Sequence, residues 1–220
     1  MKNRNSVKKI VLISMLSAVA YVIVCLIRVP VVLFLNYEPK DVIITIGGFL
    51  LGPVCSFVIS LLVSLLEMVT ISSTGPIGAL MNLLSTCSFA CTASIIYKKK
   101  RTLSGAVLGL AVGAVAMVSA MLLWNWLITP LYMGVSRDAV QGMLIPYFLP
   151  FNLLKSGPNF ALVLGLYKPL VTALRRASLV DAAPSGSGKA KIGIYLLSVG
   201  LLVVCILLLL VFQGKISLGK

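Results

Sequence analysis

Polar side chains set into apolar stretches carry most of the chemical information in this chain, and three of them fall together: Asn152, Lys155 and Asn159, in PFNLLKSGPN. Spacings of three and four residues put them on one stripe of a continuous helix, with bulky apolar residues on its other faces. Asn125, in MLLWNWLITPLY, lies near the corresponding end of the preceding apolar run. If the two runs cross antiparallel, all these groups reach similar depth. An amide presents a donor beside an acceptor and an ammonium presents three donors, so the set suits the alternating edge of a pyrimidine-like ring. Trp124, Trp126, Tyr132 and Phe151 either supply flat apolar contact to such a ring or form a belt at a membrane interface.

Plainer roles remain open for the same residues. Asparagine often bonds helix to helix in membrane bundles. Lys155 either lines a pocket, snorkels to the interface or pairs with Glu67 in SLLEMVTISSTGP. Arg28 snorkels or pairs with Glu38 or Asp41. Acid–base catalysis is disfavoured, because the chain has no histidine and no close carboxylate pair; an enzyme would have to use Glu67 or Asp41 without a placed partner. No GxxxxGK[ST] loop occurs, so any pumping needs energy from elsewhere. Cys25, Cys55, Cys87, Cys91 and Cys205 read as small packing residues; Cys87 and Cys91 share a helix face, but no further ligands for zinc can be located. No catalytic residue, metal or cofactor is expected.

The elements that position these groups are helices in a bilayer. Of 220 residues, 60% are apolar and 11% charged, with mean hydropathy +1.09. A globular core cannot hide that much apolar surface, whereas spanning helices leave it facing lipid, and an ordinary water-soluble enzyme is excluded. Nineteen Lys and Arg against five Asp and Glu give +14. The cations lie mainly between the apolar runs, at 2–9, 98–101, 175–191 and 215–220, where they meet lipid headgroups or set orientation rather than bind nucleic acid.

Apolar runs occupy 7–35, 42–51, 54–71, 77–97, 104–128 and 145–174, with one more at 192–212. The first is too long for a signal peptide and lacks a small-residue cleavage pattern, so it is expected to remain in the mature protein. The second is short if Gly52-Pro53 ends it; such an element is expected to be broken or tilted against a cavity. The fold class is therefore an all-α membrane protein: a compact six-helix transmembrane bundle plus one additional C-terminal transmembrane helix. With the basic amino terminus in the cytoplasm, 98–101 and Arg175-Arg176 also lie inside, while 36–40, 72–76 and 130–141 lie outside with Glu38, Asp41 and Asp138. The expected organisation is a binding domain at 1–178, a flexible linker at 179–190 containing DAAPSGSGKA, and an accessory helix with no chemistry of its own at 191–220. Ser14 and Ala18 form a small-xxx-small pair on the first helix, which allows close approach of another helix.

Four segments, YEPKDVIITIGGFLLGP, EMVTISSTGPIGALMNLLST, WNWLITPLYMG and PFNLLKSGPN, together resemble the substrate-binding S components of energy-coupling factor (ECF) transporters, and among them the riboflavin-specific type. The resemblance covers residues 1 to about 178. It implies a six-helix unit in the cell membrane that captures the vitamin from outside and associates with a transmembrane coupling subunit and two cytosolic ATPases, ATP being used by those partners only. It also implies that Asn125, Asn152 and Lys155 contact flavin, that 38–41 (Glu38, Asp41) form a gating segment, and that Thr74, Gly75 and Asn82 belong to the pocket rim. Ser14 and Ala18 match the docking motif for the coupling subunit, with Ser14 where alanine is usual, and the seventh run departs from the six-helix pattern. Alternatives are a flavin phosphate or another vitamin as ligand, a membrane-embedded enzyme, or a structural scaffold.

Overall fold

The computed structural model describes residues 2–33, 35–72, 74–176 and 190–212. The expected linker at 179–190 lies outside them except for Ala190. In chain order the elements are α1 (Lys2–Leu26), β1 (Val29–Val32), β2 (Leu35–Tyr37), α2 (Lys40–Leu51), α3 (Pro53–Thr70), α4 (Gly75–Lys100), α5 (Leu103–Met133), α6 (Arg137–Met143), α7 (Leu149–Arg176) and α8 (Ala190–Phe212). By length and composition α1, α3, α4 and α5 each suffice to cross a membrane. α7, with 28 residues, is as long but carries the polar stripe.

The first apolar run does not stay helical. α1 stops at Leu26, and the antiparallel hairpin β1–β2 follows, with Val29 opposite Tyr37 and Val32 opposite Leu35. Pro30 sits at the irregularity in its register, the position a two-stranded sheet allows a residue without an N–H. Among the described residues this hairpin is the one departure from helix that forms regular structure. Val31, Leu35 and Tyr37 pack with Val140 of α6, Phe148 and Phe151, which fixes the hairpin to the start of α7.

α2 is the hub. Its 12 residues span about 18 Å, too little for the hydrocarbon core. Every residue from Lys40 to Phe49 is buried, as expected of a helix apolar all round and enclosed by neighbours. α1, α3, α4 and α7 supply those neighbours. The helix ends at Gly52, whose φ of 98° only glycine adopts at low cost, and Pro53 opens α3 at once. α4 and α5 approach most closely: a Cβ on Gly109 would lie 2.7 Å from the Ala93 carbonyl oxygen, and one on Gly113 2.6 Å from that of Phe89. Glycines four apart thus let two backbones touch.

Between α6 and α7 the backbone makes a π-helical turn, Leu144–Phe148. Pro146 and Pro150 stand four apart there. Pro150 cannot donate to the Pro146 carbonyl and its ring crowds that oxygen, so the turn widens just ahead of Asn152.

Candidate functional site

The hairpin, the ends of α3 and α5 and the starts of α2, α4 and α7 meet at one end of the bundle, opposite the basic end of α4 at Lys98, Lys99 and Lys100. They enclose a hollow of about 570 Å³, mouth included. The hairpin side contributes Leu35, Asn36 and Glu38; α3 gives Glu67; α4 gives Met81, Asn82 and Ser85. Met121 of α5 and Phe151, Asn152 and Lys155 of α7 complete the wall, with Thr74 and Arg28 at the rim.

Two buried ionic groups frame it. In the first, Lys40 Nζ, fully enclosed, lies 2.8 Å from Glu38 Oε2 and 2.5 Å and 2.6 Å from the two Glu67 oxygens. Asn82 Nδ2 donates to Glu67 at 2.9 Å. Arg28 Nε pairs with Glu38 at 3.2 Å and its guanidinium donates to the Ile71 carbonyl at 2.9 Å. This cluster ties the hairpin and α2 to α3 and α4. In the second, Asp41 accepts from Thr86 at 2.6 Å and from Asn159 at 3.3 Å, and Lys155 Nζ stands 3.6 Å away. Lys155 also donates to Ser85 Oγ at 3.1 Å, and the Tyr37 hydroxyl donates to Asn159 Oδ1 at 3.2 Å.

Burial pushes the Glu38 carboxyl up, but the charges of Lys40, Lys155 and Arg28 outweigh it and hold the group below the ordinary carboxylate value. Burial, then the nearby Asp41 charge, then Cys205, raise Tyr37 well above the ordinary phenol range, so it remains a neutral donor.

Asn152, Lys155, Glu38, Thr74 and Asn82 line the hollow. Asp41 lies beneath it as the counter-charge of Lys155. Gly75, at φ 57°, turns the chain between Thr74 and α4. Asn125 does not line this hollow. Its Nδ2 donates to the Met121 carbonyl at 2.7 Å and its Oδ1 accepts from Thr129 at 2.8 Å, both on its own helix. Thr129 in turn faces a second hollow of about 250 Å³ with Trp124 and Tyr132, and this shares Thr74 and Met81 with the first. Of the two partners open to Arg28, Glu38 is the one it takes. Lys155 takes Asp41, while Glu67 is held by Lys40 and Asn82.

Lys40 was not singled out by the sequence. A charge count would have found it: three of the chain's five acids, Glu38, Asp41 and Glu67, converge here, and buried acids require cations.

Asn152 differs from its neighbours. It is 1% exposed and its Nδ2 donates to the Phe148 carbonyl at 2.7 Å. Its Oδ1, however, has no partner among the described residues. A buried acceptor without a partner, on a residue that lines a cavity, is uncommon in a folded protein.

A multi-pass helical bundle with a polar hollow at one end, without a metal-binding group of His, Cys, Asp or Glu among the described residues, defines a membrane-embedded small-molecule binding protein. The family model "ECF transporter, substrate-specific component" matches residues 8–167, and the chain belongs to that family. It is 29% identical over 183 positions to the riboflavin transporter RibU of Staphylococcus aureus (strain TCH60), covering 79% of this chain and 96% of that protein. It is 27% identical to the riboflavin transporter FmnP of Bacillus subtilis (strain 168), covering 79% and 98%. A solved structure of the S component of a bacterial ECF transporter superposes with a TM-score of 0.66 at 28% identity, over 80% of this chain and all of the other.

Proposed function

We propose that this chain captures riboflavin in the hollow between the hairpin and α7 and delivers it to an ATP-driven assembly. The observation that carries the reading is the buried, unpartnered Oδ1 of Asn152, a residue that lines the hollow. Leaving such an acceptor unmet costs about 1–3 kcal/mol, which a ligand donor recovers. Riboflavin's ring system is flat and bears an imide N–H between two carbonyls. The N–H meets Asn152, while Lys155 and Asn82 donate to the flanking oxygens. Trp124 and Tyr132, at the adjoining hollow, face the apolar edge of the ring, and Asn125 acts there by fixing Thr129. Glu38 and Asp41 position the cations, and Thr74 and Gly75 form the rim.

Charge supports an uncharged ligand over a flavin phosphate. Arg28, Lys40 and Lys155 are matched by Glu38, Asp41 and Glu67, which leaves no unpaired cation lining the hollow among the described residues to meet a phosphate. The basic segments support an amino terminus in the cytoplasm with the hairpin end outside. Residues 1–178 form the binding unit. The partners are a transmembrane coupling subunit and two cytosolic ATPases, engaged through α1, where Ser14 and Ala18 are exposed.

The test is quenching of flavin fluorescence by the purified protein. Asn152→Ala together with Lys155→Ala is expected to weaken binding roughly a hundredfold, the sum of one neutral and one charged hydrogen bond. Asn152→Ala alone, which removes a side chain with an open acceptor, should weaken it about tenfold while the protein stays folded. Unchanged affinity in both variants rejects the site.

A further inference from the structure

α8 lies beyond the family match, which ends at residue 167. By composition it is an inert aliphatic span. Its packing gives it a closer connection to the hollow. α8 runs antiparallel along α7, and at two points a glycine of α7 faces a side-chain tip of α8: a Cβ on Gly157 would lie 2.6 Å from Cys205 Sγ and displace it, and one on Gly165 would lie 3.0 Å from Ser198 Oγ, a tight contact. Ser198 and Cys205, seven residues apart, form the buried stripe of α8, at 7% and 6% exposed. Val199, Val203, Ile206 and Leu207 are exposed on its other faces.

The far end of this helix meets the hairpin. Leu209 packs against the cluster of Val31, Leu35, Tyr37 and Phe148, and α8 touches β1. From Tyr37 a bonded chain leads to the hollow: Tyr37 to Asn159, Asn159 to Asp41, Asp41 to Lys155. Leu35, in the same cluster, lines the hollow directly.

We propose that α8 is a strut that holds the hairpin over the hollow, with Leu209 as a positioning residue acting through Leu35 and Tyr37 and Cys205 seated on α7 at Gly157, so that α8 parts from α7 when the hollow opens. The proposal rests on the riboflavin reading of the hollow. Coupling is reciprocal: if release of α8 weakens the ligand's hold, bound ligand must hold α8 in place by the same factor. A helix that only anchors the chain would show no such linkage.

The experiment uses the full chain in detergent, treated with a small maleimide with and without saturating riboflavin, the extent of reaction at Cys205 being read by peptide mass spectrometry. Cys25, exposed on α1, is the internal control. Riboflavin is expected to slow alkylation of Cys205 about tenfold, within the usual range of couplings between sites, and to leave Cys25 unchanged. In parallel, Leu209→Ala and Gly165→Leu, the latter about 15 Å along α7 from Lys155, are expected to speed riboflavin dissociation severalfold. If riboflavin quenches normally while Cys205 alkylation ignores it, the strut is overturned and the function stands. If riboflavin does not bind the unaltered protein, the functional reading falls and the strut with it.

Discussion

Among the described residues Lys40 makes the sharpest demand on its surroundings. An ammonium sealed from water persists only with its counter-charges in contact, and Glu38 and Glu67 provide them at 2.5–2.8 Å. Lys40→Met strands both carboxylates and should destabilise the protein by about 3–5 kcal/mol. Thermal unfolding in detergent, with Lys40→Met,Glu67→Gln expected to recover part of the loss, checks it. The sequence made the α7 stripe legible, because Asn152, Lys155 and Asn159 repeat with the helical period. It did not disclose how each amide is used. Asn125 and Asn152 look alike in sequence, yet a threonine four residues on fills the acceptor of Asn125, while the widened turn ahead of Asn152 coincides with an acceptor left open.

At the scale of elements, the hairpin depends on one joint between β2 and α2. Glu38 stands at that joint with its pKa held below the ordinary 4.5 by Lys40, Lys155 and Arg28 against the opposing effect of burial. A carboxyl depressed by folding contributes stability that is fully present above its unfolded value and is lost as pH falls through the folded one. Stability in detergent should therefore hold from neutral pH to about 4.5 and decline below. Glu38→Gln, neutral throughout, should lower stability at neutral pH and flatten that decline; thermal unfolding across the range decides. The spanning helices were readable because apolar runs of about 20 residues admit little else in lipid. The hairpin was not, since VPVVLFLNY resumes the apolar composition of α1 after a single charge, Arg28, and only β-branched residues around a proline marked the change of element. The π-helical turn had a cue in Pro146 and Pro150, but proline spacing alone does not say which way the backbone yields.

For the whole molecule, the two ends of the fold divide the work. α1 buries Leu12, Leu16, Ala20 and Val24 against its neighbours and leaves Ser14 and Ala18 exposed with Val11 and Met15, whereas α8 packs on α7 and the hairpin. Ala18→Leu should thus abolish partner-dependent uptake in cells and leave riboflavin quenching by the isolated chain unchanged. Loss of both would mean that this face serves the bundle itself. The lengths of the helices bear on the surrounding lipid as well. α3 has 18 residues and α5 has 31, about 27 Å against about 46 Å. Hydrocarbon of one thickness cannot match both, so acyl chains must shorten beside α3 while α5 leans or protrudes. The protein imposes a slope on its lipid annulus, and the surrounding bilayer composition becomes one of the variables that set how it sits.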